Sequence, residues 1–177
     1  FLKTQGYGQN TIYSRSLRFF GIAEAALAEK VTHLFDSTNP TVAPYAGKGQ
    51  VRLRISARAD SEAAAQILIE PIATEIKQIA GDDYFGSDED TLASVVGAHL
   101  RANGQTLAVA ESCTGGGLGQ MLTETAGSSD YFMGGIISYA NRVKIDLLGV
   151  DPDDLATEGA VSATVARQMA AGVKARL

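Results

Sequence analysis

The most constraining feature of this sequence is an apolar run that passes directly into a glycine-rich loop and then into a helical pattern. Residues 106–110 (TLAVA) are typical of a buried strand, and the loop 111–117 (ESCTGGG) follows without a break. Helical spacing resumes at Leu118, a second strand is predicted at 135–139, and a short helix is predicted over 141–148. Strand, helix, strand and helix joined by short turns predict a parallel α/β sheet.

Capping residues predict where the other helices of this second half begin. Ser87 and Asp90 resemble a capping box that opens a helix over the apolar stripe 92–100. Asp151, followed by Pro152, and Ser162 are predicted to cap the last two helices.

The first half has a different pattern, which predicts a small α+β module of about 70 residues. The predicted elements are a strand over 12–20, a helix over 27–35, a strand over 51–58 and a helix from Asp60 or Ser61 to Gly81. Pro44 is expected in a loop, and Pro71 is expected to kink or break the long helix. No motif in this half is typical of catalysis.

Charge separates the two halves. Residues 1–85 hold nine basic and nine acidic side chains, whereas 86–177 hold six basic and eleven acidic ones, so the net charge of −5 lies in the second half. The polar, glycine-bracketed stretch between them predicts a linker. The predicted organisation is a tail or linker over 1–11, the α+β module over 12–81, the linker over 82–90 and the second domain over 91–177.

Composition excludes several classes of protein. A single cysteine, Cys113, excludes an internal disulfide framework and a cysteine-built zinc site, and it suits a reducing cytoplasm. No apolar run approaches the roughly 18 residues that a membrane-spanning helix needs. A negative net charge disfavours nucleic-acid binding. The chain opens on Phe1 and closes within a predicted helix at Leu177, so we expect a fragment.

The glycine-rich loop is the strongest candidate for chemistry, because ligands bind at the carboxyl edge of parallel sheets. It offers Ser112, Cys113 and Thr114 as hydroxyl or thiol groups. It is not a Walker phosphate loop, since no Lys-Ser/Thr follows at the required spacing. The alternative is that the loop is only a tight connection between a strand and a helix.

A serine nucleophile needs a base, and lysine fits this sequence better than histidine. The two histidines, His33 and His99, lie in predicted helices of other segments, which disfavours a Ser-His-Asp triad. Lys144 follows the second strand, so it is expected at the same sheet edge as Ser112. The alternative for Lys144 is an ordinary surface residue of a helix, and Lys174 is expected to be a solvated charge at a helix end.

Several ordered segments resemble one known family. The segments of the second half are 110–116 (AESCTGG), 127–132 (GSSDYF), 134–141 (GGIISYAN), Lys144, 147–150 (LLGV) and 159–162 (GAVS). From about residue 88 onward they resemble the C-terminal domain of the CinA family of competence/damage-inducible proteins, the nicotinamide mononucleotide deamidase that also occurs alone as PncC. Upstream, 14–21 and 39–45 resemble the KH-like middle module of that family.

The resemblance implies a three-layer α/β/α domain that hydrolyses nicotinamide mononucleotide to nicotinic acid mononucleotide and ammonia in pyridine nucleotide salvage. By motif, Ser112 would be the nucleophile, Lys144 its base and Tyr139 a catalytic assistant that orients the pair or the substrate. The implied substrate contacts are Asn141, Thr114 and the backbone amides of Gly115 and Gly116, the last three near an oxyanion or phosphate. The family implies no cofactor, no metal and a homodimer.

Two neighbours of the serine have less definite roles. Cys113 is expected to be buried and to point away from the site. Glu111 is expected to hold either the loop or the lysine.

The sequence also departs from the family. Members continue beyond the equivalent of Leu177 with a further strand, a Ser-Gly-Ile-Ala-Gly-Pro loop and basic residues that help to hold the substrate, so the domain is expected to be incomplete. The family's N-terminal domain, associated with ADP-ribose pyrophosphatase activity, is likewise expected to be missing. The first module lacks a G-x-x-G loop, with Gly47 and Gly49 as its nearest glycines, which disfavours RNA binding.

Two alternative functions therefore stay open. The chain would be a non-catalytic piece that serves assembly, or it would bind nucleic acid weakly through Arg52, Arg54 and Arg58. Because the first module has no net charge, a solvated face is favoured for these arginines.

Overall fold

The computed structural model describes residues 11–47 and 49–177. Apart from Thr11, the tail predicted over 1–11 lies outside the described residues. The chain divides after Leu92 into two compact units. No helix in the described part is both long and apolar enough to cross a membrane.

The first unit is a four-stranded antiparallel sheet with two α-helices. Its elements in chain order are β1 (Thr11–Phe19), α1 (Glu24–Lys30), a 3-10 turn (Thr32–Leu34), β2 (Thr41–Gly47), β3 (Gln50–Ala59), α2 (Glu62–Ala80), a second 3-10 turn (Gly81–Asp83) and β4 (Tyr84–Ser87). The strand order is β2-β3-β1-β4, and each neighbouring pair is antiparallel.

Alternation along β3 decides which face of this sheet is covered. Leu53, Ile55 and Ala57 are fully buried in one core with residues of α2 such as Ile69 and Ile76. The arginines that alternate with them in β3 therefore lie on the opposite, open face. The period of two in the sequence predicted this division correctly.

Two strands in the first unit correct the sequence-based assignment. Pro44 was expected in a loop, but it lies within β2, opposite Leu53 of β3. A proline is tolerated there because β2 is an edge strand, whose outward N–H groups need no partner in the sheet. The predicted linker over 82–90 contains β4. This strand pairs with β1 along the edge of β1 that faces away from β3. A four-residue strand is too short for its period to stand out in a polar segment.

The ends of α2 follow the capping signals. The Ser61 side chain accepts a hydrogen bond from the N–H of Ala64, and Gly81 with φ 57° ends the helix. The helix continues through Pro71, so the predicted break does not occur.

The second unit alternates helices with two parallel strands. Its elements are α3 (Leu92–Ala102), β5 (Leu107–Glu111), α4 (Gly117–Thr123), a 3-10 turn (Ser128–Asp130), β6 (Phe132–Ile137), α5 (Asn141–Leu148), α6 (Pro152–Glu158) and α7 (Ala163–Lys174). β5 and β6 pair in parallel, as the sequence predicted. β6 begins three residues earlier than the predicted strand and ends two residues earlier.

Helices cover both faces of this two-stranded sheet. On one face, Ala108 and Ala110 of β5 pack with the core that α5, α6 and α7 supply, which includes Leu148 and Met169. On the other face, Val109 packs with residues of α3 and α4. Successive residues of β5 thus face opposite helix layers, and the predicted α/β class with three layers is confirmed.

Local signals set most helix ends in this unit as well. The side chains of Asp151 and Ser162 accept the first hydrogen bonds of α6 and α7, as predicted. Ser87 and Asp90 do not open α3, which begins at Leu92. They instead close the turn after β4, where the Ser87 N–H donates to the Asp90 carboxylate at 2.8 Å.

Candidate active site

The site lies where the two parallel strands of the second unit end. β5 runs into the loop that carries Ser112, and β6 is followed by Ser138, Tyr139 and then α5, which carries Lys144. The N–H of Ser138 donates to the Glu111 carbonyl at 2.7 Å, so the two chain segments stay paired beyond the strands. Because parallel strands bring their carboxyl ends to one edge, this topology places the serine beside the lysine.

Lys144 and Ser112 are in direct contact. The Lys144 Nζ lies 3.1 Å from the Ser112 Oγ, within the distance that proton transfer requires. The Nζ also donates to the carbonyl of Ser138 at 2.7 Å and to the carbonyl of Tyr139 at 3.1 Å. Three partners therefore surround the nitrogen and fix its position.

Lys144 is not the surface residue that was the alternative reading, since only 1% of it is exposed. A neutral amine has two N–H donors and one lone pair. In that form both donors can go to the two carbonyls, and the lone pair can accept the hydroxyl proton of Ser112. The three oxygen partners fit the charged amine, which has three donors, as well as the neutral one.

Glu111 holds the loop rather than the lysine. Its buried carboxylate accepts hydrogen bonds from the N–H groups of Gly116 at 3.1 Å and Leu118 at 3.0 Å through Oε2, and of Gly119 at 2.9 Å through Oε1. Burial by itself would raise the pKa of Glu111. Hydrogen bonds from the Thr114 side chain and from these three N–H groups outweigh burial and lower the pKa below its ordinary value.

This arrangement bears on three of the predicted substrate contacts. The N–H of Gly115 donates to the Ser112 carbonyl at 3.0 Å, and the N–H of Gly116 and the hydroxyl of Thr114 are directed to Glu111. In this part of the loop, the described N–H groups that have no acceptor are those of Ser112, Cys113 and Thr114. These N–H groups are therefore free to serve as donors, whereas those of Gly115 and Gly116 are already used within the loop.

A glycine is required at position 116 for two reasons. Its φ is 104°, in the region that residues with a Cβ rarely adopt. A Cβ would also lie 3.0 Å from the Cδ1 of Ile137 in β6. The loop can therefore turn back toward Glu111 only without a side chain at this position.

The two other predicted site residues lie beside the pair but do not touch it through their side chains. Tyr139 contributes its carbonyl to Lys144, while its side chain points outward and the residue is 76% exposed. Asn141 is exposed at the start of α5. Neither the Tyr139 phenol nor the Asn141 amide is hydrogen-bonded to Ser112 or Lys144, and neither residue lines the cavity beside Ser112.

Cys113 is exposed, which corrects the expectation that it is buried. It lines, together with Ser112, a cavity of about 510 Å³. The other walls are mostly apolar and come from β5, from the segment before α7 and from α7 itself, with Ala110, Val161, Met169 and Val173 among them. The serine therefore opens onto a space of the size that small-molecule sites usually have.

The histidines lie elsewhere. His33 pairs with Glu75 in the first unit at 2.7 Å, and His99 of α3 lies 3.4 Å from the Asn103 side chain. Among residues 11–47 and 49–177, no group of three or more His, Cys, Asp or Glu side chains is placed to hold a metal ion.

Sequence reasoning left the role of Glu111 open and did not identify Ser138. A carboxylate immediately before a glycine-rich helix start was the available signal for Glu111, because such groups satisfy free N–H donors. Ser138 gave no signal, since its contribution to the lysine is a backbone carbonyl.

Curated relatives of this chain cover it completely. It is 68% identical over 177 residues to a CinA-like protein of Nostoc punctiforme and 68% identical to one of Synechocystis sp.. Each match covers 100% of this chain and 42% of the relative, so the chain spans about two fifths of their length.

Solved structures of similar proteins were also found. The competence/damage inducible protein CihA from Agrobacterium tumefaciens is 44% identical, with a TM-score of 0.47, over 48% of this chain and 52% of that one. A competence-damaged protein (CinA) superfamily protein from Enterobacter cloacae is 31% identical, with a TM-score of 0.48, over 50% and 56% of the two chains.

Two family profiles match in sequence order. The KH domain of damage-inducible protein CinA matches residues 14–86, and the CinA C-terminal domain matches residues 89–177. The second match alone covers half of the chain and contains the Ser112–Lys144 pair. This chain therefore belongs to the CinA family.

Proposed function

We propose that the second unit is an amidohydrolase that converts nicotinamide mononucleotide to nicotinic acid mononucleotide and ammonia. The observation that carries the proposal is the buried Lys144 amine, 3.1 Å from the Ser112 hydroxyl at the carboxyl edge of a parallel sheet. The family resemblance supplies the substrate, and the geometry supports the reaction type.

In the first half of the reaction, the Ser112 Oγ attacks the carboxamide carbon while its proton passes to the Lys144 Nζ. The carbonyl oxygen becomes an oxyanion in the tetrahedral intermediate. Collapse of this intermediate breaks the C–N bond, and the lysine returns the proton to the departing nitrogen. Ammonia leaves, and a nicotinoyl ester remains on the serine.

In the second half, water takes the place of the serine as nucleophile. Lys144 accepts a proton from this water as it attacks the ester carbon, and then gives it to the Ser112 oxygen as the ester bond breaks. The product acid loses its remaining proton to solvent and leaves as a carboxylate, and the serine hydroxyl and the amine are restored. The two carbonyls that accept from the Nζ keep the amine in place through both halves.

Two further groups favour this chemistry. The free N–H groups of Cys113 and Thr114 are donors that a developing oxyanion requires. The apolar cavity beside Ser112 suits a pyridine ring, and its described lining residues include no cationic side chain. We therefore propose that the ring and the carboxamide bind here, whereas the phosphate is held elsewhere.

The proposal is tested by ammonia release from nicotinamide mononucleotide with the purified protein. Ser112→Ala and Lys144→Ala should each lower the rate by at least about a thousandfold. Lys174→Ala is the matched control, because this lysine lies exposed at the end of α7. Undiminished activity in both the Ser112 and Lys144 variants would refute the assignment.

A second candidate function rests on the open face of the sheet in the first unit. β1, β2 and β3 contain no acidic residue, and Arg18 of β1 lies directly opposite Arg52 of β3. Like charges directly opposite each other destabilise a sheet, so an anionic partner would relieve this repulsion. Tyr45 stacks against Arg52 at 5.2 Å and adds an aromatic surface, which favours single-stranded nucleic acid as that partner.

Fluorescence anisotropy with a labelled single-stranded oligonucleotide tests this second function. Arg52→Ala combined with Arg54→Ala should weaken binding and reduce its salt dependence. Arg142→Ala, which removes an exposed arginine of the second unit, is the control. No binding at low salt would exclude the function.

A further inference from the structure

We propose that Glu111 is a positioning residue for both members of the Ser112–Lys144 pair. This inference rests on the function proposed above. Glu111 contacts neither reacting atom, but its side chain shapes the loop that carries the serine, and its main chain supports the segment that holds the lysine.

The side chain acts on the serine. Ser112 follows Glu111 directly, and the carboxylate accepts the N–H groups of Gly116, Leu118 and Gly119. The loop is thus closed at its beginning and its end by one carboxylate. No cationic side chain pairs with this carboxylate in the described part of the chain, so its charge is balanced by the three N–H donors and the Thr114 hydroxyl.

The main chain acts on the lysine. The Glu111 carbonyl accepts from the Ser138 N–H at 2.7 Å and from the Ser138 hydroxyl at 3.2 Å. The Ser138 carbonyl in turn accepts from the Lys144 Nζ at 2.7 Å. Glu111 is therefore bonded to the nucleophile through the chain and to the base through two successive hydrogen bonds.

A neutral amide cannot replace this carboxylate. Both carboxylate oxygens accept N–H groups, whereas glutamine has one acceptor oxygen and one NH₂ donor. In Glu111→Gln, at least one of the three N–H groups would face another donor. The loop would then shift, and a displacement of about 1 Å at a reacting group can cost about a hundredfold in rate.

The experiment measures two reactions of Ser112 in the same protein. One is turnover of nicotinamide mononucleotide, and the other is covalent labelling by a fluorophosphonate, followed as a rate constant and as a final stoichiometry by mass spectrometry. For Glu111→Gln we expect the labelling rate constant and kcat to fall about 10- to 100-fold. KM should stay within about threefold of the wild-type value, and final labelling should still reach one label per chain. Ser138→Ala, which removes only the hydroxyl bond, should lower the same rate constant several-fold.

The matched control is Glu124→Gln, since Glu124 lies exposed just after α4. If Glu111 only stabilised the fold, Glu111→Gln would lower the final labelling stoichiometry through loss of folded protein and leave the labelling rate constant unchanged. That result would overturn the proposal. Unchanged rate constants in both Glu111→Gln and Ser138→Ala would overturn it as well. If Glu111→Gln does not fold, the labelling rate constant of Ser138→Ala decides whether the proposal stands. A several-fold fall supports the proposal, and an unchanged value overturns it.

The two proposals fail separately. If wild-type Ser112 is labelled but does not turn over nicotinamide mononucleotide, the substrate assignment is wrong and the labelling rates still decide the role of Glu111. If wild-type Ser112 is neither labelled nor active, both proposals are overturned.

Discussion

Replacing Gly172 by alanine should destabilise the second unit, although alanine is normally the better residue inside a helix. Gly172 lies in α7, which packs against the end of α5. A Cβ at this position would lie 2.0 Å from the Leu148 carbonyl oxygen and 2.7 Å from its carbon. Both are backbone atoms, so no side-chain rotation can relieve the overlap.

The expected magnitude follows from these distances. A carbon and a carbonyl oxygen normally approach to about 3.3 Å, so the two helices would have to separate by about 1.3 Å. Overpacking typically costs about 1–3 kcal/mol, and an overlap with backbone atoms lies in the upper part of that range, at about 2–3 kcal/mol. The better helix propensity of alanine offsets about 1 kcal/mol of this cost. We expect the free energy of unfolding to fall by about 1–2 kcal/mol.

The change is measured by urea unfolding followed by far-UV circular dichroism. Hydrogen exchange of peptides from α5 and α7 then locates it in the second unit. Gly117→Ala is the control, because nothing lies within 4 Å of a Cβ at that helix position. Since α5 also carries Lys144, Gly172→Ala should in addition lower the turnover of nicotinamide mononucleotide.

One result would refute this reasoning. If Gly172→Ala is as stable as the wild-type protein or more stable, the helix propensity of alanine outweighs any steric cost at this position. The close backbone contact between α5 and α7 then does not exist.

Three further predictions concern charged groups. Lys144→Met should abolish turnover but change the free energy of unfolding by less than about 2 kcal/mol. Two carbonyls lose a hydrogen-bond donor, but the cost of burying an amine disappears as well, so the two effects oppose each other. Urea unfolding measures the change, and a larger loss of stability would contradict the prediction. The lowered pKa of Glu111 implies a stabilising contribution that is fully present above the pKa of this carboxyl in the unfolded chain and is lost as the pH falls through the folded-state pKa. The stability difference between wild type and Glu111→Gln should therefore shrink in acid, and a constant difference would show that the carboxylate is not ionised. Asp146→Ala should change stability by less than about 0.5 kcal/mol in a thermal melt, because its pair with Arg142 is exposed.

The sheet edge that carries the candidate site could be predicted because it depends on local and topological signals. The apolar runs of β5 and β6, the short connections and the caps at Asp151 and Ser162 all act over a few residues. A helix between the two strands returns the chain to the end of the sheet where β5 begins, so β5 and β6 run parallel and bring Ser112 and Lys144 to one edge. This step needed no knowledge of side-chain positions.

Errors arose where a distant segment decides the local structure. Residues 84–87 are few and lie between acidic residues, and they form a strand because the edge of β1 is available to them. Pro44 lies in a strand only because β2 borders the sheet on its outer side. Neither partner is visible in the local sequence.

Taken alone, the sequence determined the α/β class and the glycine-rich loop, and it predicted that Ser112 and Lys144 lie at one edge of the sheet. The tertiary structure decided that Lys144 is buried with two carbonyls, that Tyr139 offers its carbonyl rather than its phenol, and that Glu111 takes the N–H groups expected for a ligand. The physical reason is that periodicity and capping depend on neighbours in the chain. The direction of a side chain and the partner of each buried polar group depend on which atoms the whole fold brings within hydrogen-bond distance.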